Sequence, residues 1–565
     1  MTETELDNLF YRDTEAIAFP KIDDHQLELL ERVGKRRTLR KGETLFSAGD
    51  RDFGFTVVLS GKLEVYEPRD TGKLILAEPG PRDFVGDVSM LTGTSALATA
   101  RGSAEESEIL EVPAGALRKA LAELPEVSEP VVNAFIMRRK RLQRDHEFAG
   151  LRVISADGSR EGHQIHDFLD KNHIPHRLIE FEAAAGAELC ARFHLTDRDL
   201  PALITARGVP MSKPSIREVA QVAGLMQPLA EKGERQVSCD LAIVGAGPAG
   251  LAAAVYAASE GLRTVVLESY APGGQAGSSS LIENFFGFPT GISGGDLTRR
   301  AQLQAYRFGA KFTTPSRALS MSLMEGDYRA ELGVEGCGAT LRARCVIIAT
   351  GAEYNRIEAP GRARFEGNGV YYAATALESE VCKRSTVIVA GGGNSAGQAA
   401  MFLAETADKV VLVIRGDDLT KSMSSYLSTR VEARQNIEIL RNTEVIGMSG
   451  GNKLEEVELK NTRTNEQRAV RTPAVFSMIG ARPCTAWLPP EIACDERGFI
   501  LTGTAVADRP AWKTFNRPPG PLESSVPGIF AAGDVRSGSV KRCAAAVGEG
   551  GMAVEGVHDA LGTYK

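Results

Sequence analysis

The chain has 565 residues, 43% of them apolar and 25% charged, with a net charge of −7. That length holds three or four globular domains, and the composition is that of a packed protein. The acidic balance removes any electrostatic reason to expect a nucleic-acid partner.

The chain opens on the acidic Met1-Thr2-Glu3-Thr4-Glu5, with no hydrophobic export segment, so a cytoplasmic location is expected. Residues 1–147 read as a first unit. Short strands are expected at Thr38 to Leu39, Thr44 to Phe46, Phe55 to Leu59 and Leu63 to Tyr66. Gly49-Asp50, Ser60-Gly61 and Gly72-Lys73 supply the turns, and one helix is expected from Ala114 to about Arg144. With Lys41-Gly42-Glu43-Thr44-Leu45-Phe46, Gly61-Lys62-Leu63-Glu64-Val65 and Phe84-Val85-Gly86-Asp87-Val88-Ser89, this unit resembles the cyclic-nucleotide-binding β jelly roll. The ligand-reading segment departs from that family. Asp87 stands for its glutamate, and Thr94 stands where its arginine belongs, before Ser95-Ala96. Arginine grips a cyclic phosphate with two parallel hydrogen bonds and threonine cannot, so a cyclic nucleotide or other effector is a doubtful partner. No helix-turn-helix follows.

Residues 150–226 read as a second unit: strand Leu151 to Ile154, helix Gln164 to Lys171, strand Arg177 to Glu180. Leu200 to Thr205, a turn at Arg207-Gly208 and a helix from Ser215 to Gly224 follow. The order resembles a small α/β thioredoxin or glutaredoxin fold, with Pro201 at the family's cis-proline. The stretch after the first strand, Ala156 to Gly162, holds no thiol, so a degenerate docking or spacer domain is expected. Met226 to Ser238 reads as a linker.

Beyond it lie two fingerprints. Cys239 to Val244 runs into Gly245-Ala246-Gly247-Pro248-Ala249-Gly250, and Val387 to Ala390 runs into Gly391-Gly392-Gly393-Asn394-Ser395-Ala396. Each is an apolar strand, a glycine turn and a helix start, the combination that lets a backbone approach a pyrophosphate. A long uncharged run, Leu241 to Ala258, lies across the first; its glycines and proline make it a buried strand-turn-helix, so no membrane span is expected. Glu268 closes the second strand 18 residues after Gly250, placed to accept from ribose hydroxyls.

Together with Gly273-Gly274-Gln275, Ile282-Glu283-Asn284, the Cys345 to Ala352 strand-turn carrying Thr350 and Gly351, and the tail Ala532-Gly533-Asp534, the chain from Ser238 on resembles low-molecular-weight thioredoxin reductases. The resemblance implies two Rossmann-like three-layer α/β domains. One, residues 237–358 and 485–565, takes FAD; the other, residues 359–484, takes NADPH or NADH. It further implies that Asp534 holds a ribityl hydroxyl and that a helix starting near Arg542, Cys543 and Ala544 points its positive end at the flavin. Arg415 ends the second strand of the nicotinamide domain, where no acid stands. That favours the 2′-phosphate of NADPH over NADH. A homodimer is expected from the resemblance alone.

The family's Cys-x-x-Cys falls at Gly369-Val370-Tyr371-Tyr372-Ala373-Ala374-Thr375-Ala376, and both cysteine positions, Ala373 and Ala376, are alanine. A methyl group can carry neither a thiolate nor a disulfide. The eight cysteines form no Cys-x-x-Cys pair, so no metal site is expected and Cys382 reads as buried filler. What remains is a flavoprotein passing electrons directly to an external acceptor, a small redox protein or a small molecule. The alternatives are a disulfide partner docked on the flavin, as in a thioredoxin reductase proper, and a regulatory sensor with residual catalysis.

Overall fold

The structure, a computed structural model, describes every residue except 1–2, 52, 70–71, 146–147, 149, 228, 230–234, 280, 336–338, 367, 373, 375–378, 380–381, 452, 516 and 564–565. At the N-terminal end, two four-stranded antiparallel sheets pack face to face. One runs Lys35–Arg40, Glu106–Val112, Phe55–Ser60, Phe84–Val85; the other runs Thr44–Phe46, Thr99–Gly102, Leu63–Arg69, Gly72–Ala77. Leu39, Val57 and Ile109 from the first meet Phe46, Leu63 and Ala100 from the second in one core. Phe135, on the helix behind, packs its ring edge-on to Phe55 and Phe84 at 6.2 and 6.3 Å.

The single helix expected over 114–144 is two, Ala114–Glu123 and Pro125–Arg144. Leu124 between them is extended (φ −120°, ψ 89°), because the ring of Pro125 excludes the helical conformation from its predecessor. Pro125 itself takes the first helical position, where its missing N–H costs nothing.

A four-stranded sheet follows, in the order His176–Glu180, Leu151–Ser155, Ala202–Ile204, Pro210–Ser212. The first pair is parallel and the rest antiparallel. Helices Arg160–Lys171, Ala184–Phe193 and Ile216–Ala223 flank it, the middle one unexpected from the sequence. The Leu200-Pro201 peptide is cis.

The largest body is a seven-stranded sheet whose parallel centre is Lys311–Thr313, Thr264–Leu267, Gln236–Val244 and Thr340–Ile348, with Ile529–Ala531 beside the last. Leu241 to Val244 is buried on both faces, which is why the run is continuously apolar. Helices Pro248–Ser259 and Cys543–Thr563 pack together on one side. The antiparallel ribbon Ala352–Tyr354 with Ala481–Pro483 connects this body to a five-stranded parallel sheet centred on Thr386–Ala390.

The bodies interlock. Leu303, on a helix of the large body, lies in the N-terminal core. Lys140 pairs with Asp296 at 2.8 Å, and Arg307 donates to the Leu121 carbonyl at 2.7 Å. Among the described residues no helix is long and apolar enough to cross a membrane.

Candidate functional site

At the C-terminal edge of the large sheet the first fingerprint turns sharply. Gly245 has φ 102°, and a Cβ there would sit 2.4 Å from the Ala349 carbonyl. Gly250 meets the Gly245 carbonyl so closely that a Cβ would stand 1.9 Å from it. Gly247, by contrast, faces open space. Two glycines are thus spent on backbone packing and the third leaves room for a ligand. Pro248 is the first residue of the helix, so the helix N-terminus opens at that space. Buried Glu268 secures the turn, accepting from the Ala246 N–H at 2.8 Å and the Tyr270 N–H at 2.9 Å. Burial pushes its carboxyl above the usual range, against those hydrogen bonds. Two oxygens with about four acceptor positions leave capacity for a ligand hydroxyl.

These residues line a cavity of about 1000 Å³, and Ala249 completes that wall. Gly274, Gln275, Asn284, Thr350 and Gly351 form the next stretch. The Gln275 amide donates to the Ala352 carbonyl, and the Thr350 hydroxyl to the Cys484 carbonyl at 2.9 Å. Gly533, Asp534, Arg542 and Cys543 close the far side. Asp534 stands in a 3-10 turn just before helix Cys543–Thr563, and burial raises its carboxyl. Gly250 and Ala544, two of the expected contacts, do not line the cavity: Gly250 serves helix-to-strand packing, and Ala544 is exposed on the helix.

Sequence reasoning missed the device that holds this far side. Glu549, about two turns into the helix, accepts from the Gly533 N–H at 2.7 Å and from Arg536 at 2.5 Å. Its partners lie 16 and 13 residues upstream, beyond any local pattern.

The second fingerprint repeats the geometry. Gly391 has φ 143°, with a Cβ position 2.3 Å from the Met478 carbonyl. Gly393 caps helix Asn394–Leu403, and Ala396 is buried beneath it. The Asn394 amide oxygen accepts from the Ser424 N–H at 2.8 Å. Asn394 and Ser395 also reach the large cavity; Gly391, Gly393, Ala396 and Arg415 do not. Arg415 is exposed just beyond strand Lys409–Val413. The acids after it are engaged: Asp417 with Lys421 at 2.7 Å, Asp418 with the Thr420 hydroxyl at 2.6 Å. Each partner holds its carboxyl below the ordinary value.

The positions Ala373 and Ala376 lie outside the described residues. Among the described residues no disulfide and no metal-binding cluster occurs. Cys484 and Cys543 both border the cavity, but burial pushes each thiol up to about 11, so both stay protonated at neutral pH. Cys382 is fully buried.

In the N-terminal body the ligand-reading segment is already covered. Asp87 pairs at 2.6 Å with Arg139, a side chain only 3% exposed. Loop 92–96, which carries Thr94, is held by the end of the second unit and the linker after it. The Gln227 amide donates to the Gly93 carbonyl at 2.8 Å, and the Ser95 hydroxyl to the Val222 carbonyl at 3.2 Å. Arg207 reaches across to Asp50 at 2.7 Å.

Comparison with known proteins agrees with this geometry. Residues 239–550, more than half of the chain, match the model of the pyridine nucleotide-disulphide oxidoreductases, and residues 36–123 match the cyclic nucleotide-binding domain. A thioredoxin reductase of Treponema pallidum is 33% identical over 326 residues, 58% of this chain and 98% of that protein. One of Bacillus subtilis is 33% identical over 320 residues, 56% of this chain and 93% of that protein. Among solved structures, thioredoxin reductase from Lactococcus lactis in its FR conformation superposes with a TM-score of 0.51 at 26% identity, over 57% of this chain and 99% of that one. The T. acidophilum enzyme gives 0.51 at 29% identity, over 58% and 99%. Behind an N-terminal cyclic nucleotide-binding domain, then, the chain belongs to the pyridine nucleotide-disulphide oxidoreductases, as a thioredoxin-reductase-like enzyme of a family that uses FAD and NADPH.

Proposed function

We propose that the protein is an NADPH-dependent flavoprotein reductase that delivers electrons to an external acceptor without a protein dithiol. Two observations carry the reading together: a complete dinucleotide cavity, and a sequence in which both family cysteine positions, 373 and 376, are alanine. Residues 237–358 and 485–565 form the FAD domain and residues 359–484 the nicotinamide domain. The chain's own groups divide the work. Gly247 and the start of helix Pro248–Ser259 receive the pyrophosphate, Glu268 the adenosine ribose, and Asp534 the ribityl chain. Bound FAD supplies acceptance of a hydride and release of electrons singly or in pairs. The N-terminus of helix Cys543–Thr563, with Lys541 and Arg542 at its entrance, favours negative charge on the reduced ring. Arg415 and Lys421 receive the 2′-phosphate of NADPH.

The second unit, residues 150–226, has the strand order of a thioredoxin-like fold with Ala156 to Gly162 in place of a redox loop. It acts as a fixed spacer, not as a redox carrier.

Anaerobic mixing of the holoprotein with NADPH tests the reading. Rapid loss of visible flavin absorbance, followed by reoxidation on adding a quinone or a one-electron dye, is expected. Failure of NADPH to bleach the flavin would reduce the protein to a sensor. Efficient turnover with thioredoxin alone would restore the family's disulfide chemistry.

A further inference from the structure

A second chamber, of about 580 Å³, adjoins the dinucleotide cavity, and Gln275, Glu353, Ser395 and Gln398 border both. Its other walls come from the nicotinamide side, through Tyr371 and Ala374, and from helix Arg160–Lys171 of the second unit, through His163 and Gln164. Ala374 lies between the two alanines that replace the family's cysteines. We propose that this chamber is the acceptor site, and that the acceptor is a small, uncharged, planar molecule of the quinone class, not a docked protein. The inference rests on the flavoprotein reading above and deepens it.

Three observations converge on that choice. First, the helix that forms one wall of the chamber is tied down at both ends. Lys453 pairs with Asp157 at 2.9 Å, and the Asn368 amide donates to the Gly158 carbonyl at 3.2 Å, fixing the start of the helix to the nicotinamide side. Tyr270 donates to Asp167 at 2.8 Å, and Asn172 to the Tyr270 carbonyl at 3.2 Å, fixing the same helix to the FAD side. A small molecule needs none of these contacts to move, and the chamber's size suits one.

Second, the charges in the chamber cancel. Asp167 is matched by Lys171 at 2.9 Å. Glu366 on the wall is matched by Arg356, also on the wall, at 3.7 Å, and accepts from the Tyr372 hydroxyl at 3.1 Å. Arg160 and Glu353, which also border it, carry opposite signs. Such a chamber offers neither anion nor cation a net attraction.

Third, one wall of the chamber is aromatic. The His163 and Tyr371 rings lie 6.3 Å apart, and Tyr371 rests on Phe476 at 5.5 Å. Flat conjugated rings gain from such edges, and the Gln275, Gln164 and Gln398 amides supply donors for carbonyl oxygens.

The net reaction balances as NADPH plus one proton plus quinone giving NADP⁺ plus hydroquinone. The nicotinamide C–H bond breaks, two electrons pass through, and two O–H bonds form on the quinone.

The test uses the full-length holoprotein and 1,4-naphthoquinone. Calorimetric binding to the oxidised protein is measured for wild type, Gln164→Trp and His163→Ala, beside the rate of NADPH bleaching. Gln164 is exposed on its helix, so a tryptophan there fills the chamber without entering a core. Gln164→Trp is expected to weaken naphthoquinone binding by about tenfold or more, through overpacking of the site. His163→Ala is expected to weaken it by about threefold to tenfold, through loss of a ring contact. Bleaching by NADPH should keep its wild-type rate in both. Unchanged naphthoquinone affinity in both variants overturns the proposal. So does an equal slowing of NADPH bleaching, which would make the chamber the nicotinamide's own, and so does wild-type turnover with thioredoxin in place of the quinone. Absence of bleaching in the wild type would instead defeat the flavoprotein reading, while the binding data, taken on oxidised protein, still judge the chamber.

Discussion

Gly245, Glu268 and Arg542 show how single side chains, or their absence, set the chemistry. At Gly245 both the positive φ and the Ala349 carbonyl 2.4 Å from a Cβ position forbid any other residue. Gly245→Ala should cost about 2 kcal/mol or more of stability through backbone strain and overpacking, read as a lower urea midpoint, with loss of bound FAD. Arg542 borders the cavity at the start of the last long helix. Removing its charge in Arg542→Gln should lower the flavin's two-electron potential by about 10–20 mV, since a nearby cation stabilises the reduced anion. A spectroelectrochemical titration measures that shift; a rise would show that the charge acts elsewhere. At Arg415, substitution by alanine should raise KM for NADPH by about tenfold and leave that for NADH unmoved, the loss expected for one phosphate-pairing arginine. Steady-state kinetics with the two nucleotides separate these outcomes.

Among elements, those with strong local signals were legible and those without were not. The strands Gln236–Val244 and Thr386–Ala390 announce themselves by apolar runs ending in glycine, and helix Ile216–Ala223 by its Ser215 cap and Gly224 stop. Helix Ala184–Phe193 starts at Ala183, which caps nothing, and buries only Gly186 and Cys190, with Leu189 and Phe193 half-buried, so no start signal and only a short apolar stripe mark it. The break at Leu124 was readable from Pro125, yet apolar periodicity carries straight through it. Pairings over long distance had no local trace: Asp87 meets Arg139, 52 residues away, and Gln227 covers Gly93 from 134 residues away. Those contacts bear on the N-terminal domain's role. With its acid already paired and its loop held by Val222 and Gln227, we propose that the jelly roll serves as a clamp. Cyclic AMP or cyclic GMP at millimolar concentration should leave the melting temperature unmoved, whereas a ligand at a hundred times its Kd would add about 2.7 kcal/mol. A clear rise in Tm would contradict the clamp.

At the scale of the whole molecule, two half-buried imidazoles sit in or beside the junctions between units. His173, whose carbonyl accepts from Arg139 at 3.3 Å, is pushed down to about 3 by burial and by Arg299. His176, 2.5 Å from the His166 ring nitrogen, is pushed down to about 4 by burial. Both are neutral when folded, and an unfolded chain takes up their protons near the ordinary histidine value of about 6.5. Stability therefore holds above that pH and is lost as pH falls from about 6.5 toward 4, because the unfolded state binds more protons there. Thermal melts across this window should show Tm falling with acidity. His176→Gln should flatten the slope; an unchanged slope in that variant would assign the acid sensitivity elsewhere.

The central claim is that electrons leave the flavin without passing through protein sulfur. Anaerobic reductive titration of the holoprotein addresses it most directly, by counting equivalents. The account predicts that full reduction consumes a single equivalent of NADPH per bound FAD, with no further uptake. Consumption of a second equivalent before the endpoint, as a flavin and a dithiol together would require, would contradict it.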